Sequence, residues 1–273
     1  MSDRTGRIFA IANRKGGVGK TTTAITLAHG LARKVEPGNG RVLIVDFDPQ
    51  GNVATSLNLQ PRELDLADLL LDRCTFKDCV ISANRAADGY ARPNLFVLPS
   101  SDSLAEAKSE LMIKAAIGGR RSVPVEDILA HKLGFVRDLF AYTIIDCPPT
   151  LDAFSDAVYK LADEAIVPVK TDFLGEVGTA RHTGDILEAQ AYGIDIKIAC
   201  ILPTFYDQRL TIARSVLETL VRHYGKSVVA APIPRSTVFE QAPAVDGQTI
   251  FEYQPDSTSA RAYQHLVDRI YAT

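Results

Sequence analysis

Residues 15–22 read Lys15-Gly16-Gly17-Val18-Gly19-Lys20-Thr21-Thr22, between an apolar run at 8–13 and a helix-like stretch. A loop that cradles a triphosphate needs glycines, so that backbone N–H groups can turn inward. It needs a lysine that reaches the outer phosphates and a hydroxyl that ligates Mg²⁺. Here Gly16, Gly17 and Gly19 precede Lys20 and Thr21, and Val18 and Thr22 complete the stretch. A helix starting at Lys20 would add the positive end of its dipole to the anion site. A glycine-rich surface turn is the bland alternative. A chance match to this pattern in a chain of this length is on the order of one in a million.

Outward from that loop, short apolar runs rich in β-branched residues recur at 41–46, 95–98, 142–146, 165–169, 196–202 and 228–231. Most do not alternate polar with apolar, as expected for strands buried on both faces of a parallel sheet. The stretches between them read as covering helices. The first carries an apolar stripe at Ala24, Leu27, Ala28 and Leu31. The expected fold is α/β: a doubly wound, mostly parallel sheet flanked by helices, of the P-loop NTPase type. Pro37-Gly38-Asn39-Gly40 breaks the chain before the second strand. Residues 86–94 and 118–124 are polar and read as surface loops. No repeat or linker divides the chain, so 1–273 is expected to be a single ATPase domain, with no helix-turn-helix domain ahead of residue 8.

Composition limits the partners. The net charge of the 273 residues is −3, so DNA binding would need a local basic patch. Five cations, Arg209, Arg214, Arg222, Lys226 and Arg235, face one acid, Glu218, over residues 209–235, a local balance of +4. A helix with an apolar face of Ile212, Val216, Leu217 and Leu220 would carry some of them; a merely solvated face is the alternative. The four cysteines form no C-x-x-C pair and read as reduced thiols. No run of about 18 apolar residues suggests a membrane helix, and no stretch resembles a signal peptide. The expected location is the cytoplasm.

The glycine that the strict G-x-x-x-x-G-K-[ST] pattern puts at position 14 is replaced by Arg14, and Lys15 precedes the double glycine. With Val42-Leu43-Ile44-Val45-Asp46-Phe47-Asp48-Pro49-Gln50-Gly51-Asn52, Asp146-Cys147-Pro148-Pro149 and Ile233-Pro234-Arg235, this chain resembles the ParA/Soj branch of the ParA–MinD ATPases over nearly its whole length. Ser236, Thr237 and Val238 depart from the usual sequence of the last motif.

The resemblance implies ATP and Mg²⁺ as ligands, and Lys15 reaching across a dimer to the partner's nucleotide. Asp146 is followed by a cysteine rather than a water-orienting acid, so Asp48 is the candidate for that role. Asp46 is placed near Mg²⁺ and Asp146 at a Mg²⁺-bound water, with a helix N-cap as the other reading of Asp46 or Asp48. Thr204 and the loop holding Pro232, Pro234 and Arg235 are candidate borders of the adenine. Cys147 reads as packing; the cysteines that bridge the nitrogenase iron protein's cluster have no counterpart. Members of the branch bind DNA non-specifically as ATP dimers, act with an activating partner of the ParB kind, and ride on the nucleoid. A MinD-like membrane switch and a metabolic P-loop ATPase are the competing readings. The segment 257–273 has the stripe Ala260, Tyr263, Leu266, Val267 and Ile270, expected to pack on the domain rather than on lipid.

Overall fold

The computed structural model describes residues 6–118, 122–150, 154–172, 190–191 and 193–272. Seven strands form one sheet: β1 (Arg7–Ile11), β2 (Val42–Asp46), β3 (Ile81–Ser82), β4 (Leu95–Leu98), β5 (Tyr142–Asp146), β6 (Glu164–Lys170) and β7 (Lys197–Thr204). Their spatial order is β3-β4-β2-β5-β1-β6-β7. Every pairing is parallel except β3 with β4. The strand order reverses around β1, and in such sheets ligands collect at the carboxyl ends of the strands near that reversal.

Strand alternation divides the core. In β1, β2 and β5, Ile8, Ala10, Leu43, Val45 and Ile145 face one cluster of buried side chains. Phe9, Ile11, Val42, Ile44 and Ile144 face the other. Helices Ser103–Ile117 and Ser155–Leu161 cover the first face. Helices Lys20–Val35 and Thr258–Ala272 cover the second. The stripe Ala24, Leu27, Ala28 and Leu31 is fully buried there. Burying a leucine side chain contributes about 1.5–3 kcal/mol.

Three expectations need correcting. The run 228–231 is no strand; Val229 makes one isolated parallel bridge to Ile201. The short antiparallel β3 was not anticipated, since Ile81-Ser82 is too brief to carry a pattern. The polar loop 86–94 is not all surface: Arg92 is 1% exposed and is held by Glu252 through Nε at 2.8 Å and Nη2 at 2.7 Å. The other expected surface loop, 118–124, lies partly outside the described residues.

Candidate nucleotide and magnesium site

The loop of residues 12–19 leaves the carboxyl end of β1 and turns into the Lys20–Val35 helix. Gly17 and Gly19 have φ of 68° and 89°, the left-handed region that side chains avoid. Gly19 caps the helix and brings no side chain of its own to compete for the N–H groups of the first turn. Val18 is buried, and its carbonyl accepts a 2.9 Å hydrogen bond from the Thr204 hydroxyl at the end of β7. Asn13 braces the loop's entry, donating to the Pro168 carbonyl at 2.8 Å and accepting from the Lys15 N–H at 2.9 Å.

The two lysines lead different lives. Lys20 is 8% exposed, and its Nζ donates to the Lys15 carbonyl at 3.2 Å. Burial lowers its pKa, opposed chiefly by the carboxylates of Asp146 and Asp48. Lys15 is half-buried and pairs at 2.9 Å with Asp172, just beyond β6. Asp172 also faces Lys170 at 3.5 Å. Burial alone would raise the Asp172 pKa, but the two lysines hold it below the usual range. Asp172 is a site residue that sequence reasoning missed. Its only signal was an acid just past the end of an expected strand.

Register brings the other carboxylates in. Asp46 and Asp146 end β2 and β5 and are direct partners across that strand pair. Both are fully buried, and both pKa values are pushed above the carboxylate range. For Asp46 the cause is burial, partly offset by its backbone donors. For Asp146 it is burial and then Asp46, with Thr21 and Lys20 pulling back. Their bonding differs. Asp46 accepts from the Val53 N–H at 3.0 Å and the Asp48 N–H at 3.2 Å, so both its oxygens hold the turn that follows β2. Neither oxygen of Asp146 has a hydrogen-bond partner among the described residues. A buried carboxylate left so costs several kcal/mol unless a ligand answers it, and beside Thr21 and Lys20 that suits a hydrated divalent cation. Asp48 is half-buried, with Oδ1 accepting from the Gln50 N–H at 3.0 Å. Its carbonyl is fixed by the Ser100 hydroxyl at 2.5 Å. The Cys147 thiol is buried; burial and then Asp146 push its pKa up, which makes it inert packing.

A family model described as an AAA domain matches residues 6–198. The sporulation initiation inhibitor protein Soj of Bacillus subtilis is 31% identical over 270 residues, 98% of this chain and 99% of that one. The chromosome partitioning protein ParA of Caulobacter vibrioides is 31% identical over 273 residues, 99% of this chain and 96% of its own. The chain belongs to the ParA/Soj family of P-loop ATPases. A crystal structure described as cobyrinic acid a,c-diamide synthase from Mycobacterium smegmatis, with a bound ATP analog and magnesium, is also similar. It is 29% identical with a TM-score of 0.77, covering 97% of this chain and 94% of that one. Like its relatives, this ParA/Soj member is an ATPase that uses ATP and Mg²⁺.

Beside the phosphate loop, Thr204 and Pro234 come together with Gly19, Thr22, Phe205 and Phe239 around a small, mostly apolar recess. Phe205 and Phe239 were missed as candidates to border a base. Phe205 has φ of 54°, which costs energy for an aromatic residue and marks a constrained position. Arg235 instead lines a larger concavity with Lys170, Asp172 and Phe205. Pro232 is half-buried.

The expected DNA face also changes. Helix Thr211–Tyr224 buries Ala213, Val216 and Leu220, while Ile212 is 42% exposed. Ile212 therefore does not belong to the apolar face, because it sits one residue off the three-four stripe. Arg214, Arg222 and Lys226 are exposed. Glu218 lies one turn from each arginine, so it dilutes their field. Arg209 is exposed but already engaged: Nε and Nη2 meet Asp207 at 2.9 and 2.7 Å. Asp207 lies just outside the 209–235 window, so the local excess of charge is smaller than that window implies.

Proposed function

We propose that this ATPase is a positioning switch in which two copies close on two ATP–Mg²⁺ and bind duplex DNA without sequence preference. On this reading it segregates a plasmid, a chromosome origin or another cargo. The whole chain works as one ATPase domain. Lys20 and the backbone of Gly16, Gly17, Val18, Gly19, Thr21 and Thr22 hold the phosphates. Thr21 and Asp146 would hold Mg²⁺, which would offset phosphate charge, while Asp46 fixes the turn that presents Asp48. Asp48 orients the attacking water. Hydrolysis is slow until an activating partner of the ParB kind completes that arrangement. The location is the cytoplasm, on the nucleoid. Relatives described as chromosome partitioning proteins support the reading.

The observation that carries it is Lys15. The phosphate loop already has Lys20 inside it, and Lys15 is turned away onto Asp172 at the rim. A second lysine so placed is available to a partner's phosphates, where it would offset charge developing in phosphoryl transfer. Sedimentation tests this: ATP with Mg²⁺ converts monomer to dimer, ADP does not, and Lys15→Ala stays monomeric while still binding ATP. The same oligomer with and without nucleotide would refute the switch.

The membrane alternative loses ground because the apolar stripe of helix Thr258–Ala272 is spent on the core: Ala260, Tyr263, Leu266, Val267 and Ile270 are all buried. Among the described residues no helix is long and apolar enough to cross a membrane. A metabolic ATPase, with ATP driving chemistry on a second substrate, is favoured only by the Mycobacterium smegmatis structure's description. ATPase stimulation by small molecules but not by DNA and a partner would select it.

A further inference from the structure

Helix Ser103–Ile117 packs on the sheet face opposite the one that helix Lys20–Val35 covers. Its buried positions are Leu104, Ala107, Lys108 and Leu111, the spacing of one core-facing stripe. Three are apolar and the fourth is a lysine only 5% exposed. Burying an ammonium is costly unless its charge is answered, and two aromatic rings are among the groups that meet this one. Its Nζ sits 4.1 Å from the centre of the Phe47 ring and 5.5 Å from that of Phe154. The two rings lie 6.3 Å apart, in tilted contact. A desolvated cation over aromatic faces is among the stronger forms of this interaction.

The place of these rings gives the contact its meaning. Alternation along β2 sends Leu43, Val45 and Phe47 to this face, and Val42 and Ile44 to the other. Phe47 is therefore the handle behind the turn that carries Asp46 on one side and Asp48 on the other. Cys147, next to Asp146, projects to the same rear face as Phe47 and Phe154. Asn13 of the phosphate loop, Phe47, Cys147, Pro148 and Phe154 line one small cavity there. The loops after β1, β2 and β5 thus meet at one spot behind the nucleotide site, and Lys108 stands over it.

We propose that Lys108 is a positioning residue for ATP hydrolysis: its ammonium pins Phe47 and Phe154 and so fixes the loops that present Asp46, Asp48 and Asp146. The inference rests on the reading of Asp48 as the water-orienting group. Misplacement of such a group by about 1 Å costs up to roughly a hundredfold in rate, while ground-state binding is spared.

The test is steady-state ATPase and fluorescent-ATP binding on Lys108→Met, Lys108→Arg and Asp48→Ala, with melting curves for each. Methionine keeps the length and apolar stem but drops the charge; arginine keeps a cation over the rings. Lys108→Met is expected to lose roughly ten- to hundredfold in kcat with ATP affinity within about twofold of wild type, and Lys108→Arg to recover most of the loss. If Lys108→Met does not fold, Phe154→Leu replaces it, with the same split between kcat and affinity expected. Lys108→Met turning over like wild type while Asp48→Ala is dead overturns the inference and leaves the catalytic reading standing. Equal losses in the methionine and arginine variants, with melting points lowered alike, also overturn it. Normal turnover in Asp48→Ala refutes the water-orienting reading instead.

Discussion

Two groups of buried charge border the same helix, Lys20–Val35, and they are treated in opposite ways. At its N-terminal end, Asp46 and Asp146 lie side by side, and Asp146 has no hydrogen-bond partner among the described residues. About two and a half turns further along, His29, Arg92 and Glu252 form a knot that is closed on itself. Arg92 grips Glu252 through two nitrogens and donates to the Gly247 carbonyl at 2.9 Å, and among the described residues its Nη1 has no partner. Glu252 in turn accepts from the Thr249 N–H, and the Thr249 hydroxyl meets His29 Nδ1 at 2.8 Å. The knot ties the β3–β4 connection to the segment leading into the last helix. A buried charge that is answered within the chain holds structure; one left unanswered waits for a ligand. Burial alone separates neither case, and the bonding does.

The largest expected effect is on the closed knot. Arg92→Ala leaves the half-buried Glu252 without its cation, and breaking a fully buried pair costs about 3–5 kcal/mol, the upper end of the loss expected here. Denaturant unfolding should show that loss, while ATP affinity at a temperature where both proteins are folded stays within about twofold. An unshifted midpoint would mean that water replaces the guanidinium freely.

Next comes pH. Burial, countered by Glu252 and reinforced by Arg92 and Arg33, lowers the His29 pKa to about 4 from an ordinary 6.5. The unfolded chain therefore binds the extra proton first, and stability falls as pH drops from about 6.5 to about 4. The steepest slope is about 1.4 kcal/mol per pH unit. Glu252 acts lower down. Burial would raise its pKa, but Arg92, His29 and the Thr249 N–H hold it below the ordinary value. Its contribution is present above the unfolded carboxylate range and is lost below it. In urea titrations across pH, His29→Gln should flatten the upper part of the fall and leave the acid limb. A slope unchanged by that substitution would place the titration elsewhere.

The open pair should respond with the opposite sign. Asp146→Asn removes a buried charge with no hydrogen-bond partner among the described residues, so the nucleotide-free protein gains roughly 1–2 kcal/mol above neutral pH. The same variant should lose the stabilisation that ATP–Mg²⁺ gives wild type, which for a ligand at a hundred times its Kd is about 2.7 kcal/mol. Melting curves with and without nucleotide read both. Destabilisation of the free protein by Asp146→Asn would make Asp146 structural, like Glu252.

Much of this was legible beforehand. Strands buried on both faces announce themselves by continuous apolar runs, and β1, β2, β4, β5, β6 and β7 all did. The phosphate loop was legible because glycine, lysine and threonine at fixed spacing have one common purpose. Long-range partners were not legible. Asp172 is 157 residues from Lys15, and Glu252 is 160 from Arg92. Each reads locally as an ordinary polar residue in a polar loop, and only folding brings it to its charge. Lys108 was hidden differently: by spacing it belongs to an apolar stripe, and sequence alone does not give the rings above it. The basic face erred through Asp207, two residues outside a window drawn around cations.

That surface repeats the comparison between answered and unanswered charge in water, where the effects are smallest. Arg209 is bound by Asp207, whose pKa is lowered to about 2, first by the Arg209 side chain and then by its N–H. Arg214 pairs with no acid among the described residues, its Nη2 meeting the Thr211 hydroxyl at 3.4 Å. If DNA lies along this face, phosphate must compete with Asp207 for Arg209 but finds Arg214 open. Arg214→Ala should therefore reduce the log–log salt slope by about 0.9, the value of one lost phosphate contact. Arg209→Ala should reduce it by less, because its charge is already matched. Asp207→Asn should strengthen binding by roughly two- to fivefold at low salt, as expected for release of an exposed pair, and should do nothing in an Arg209→Ala background. Fluorescence anisotropy with the ATP-bound protein on unrelated duplexes gives all four constants, and the cycle isolates the pair from general charge. Equal gains from Asp207→Asn in both backgrounds would mean that Asp207 merely repels DNA. No response in any variant would move the DNA surface off this face, to basic residues elsewhere on the protein.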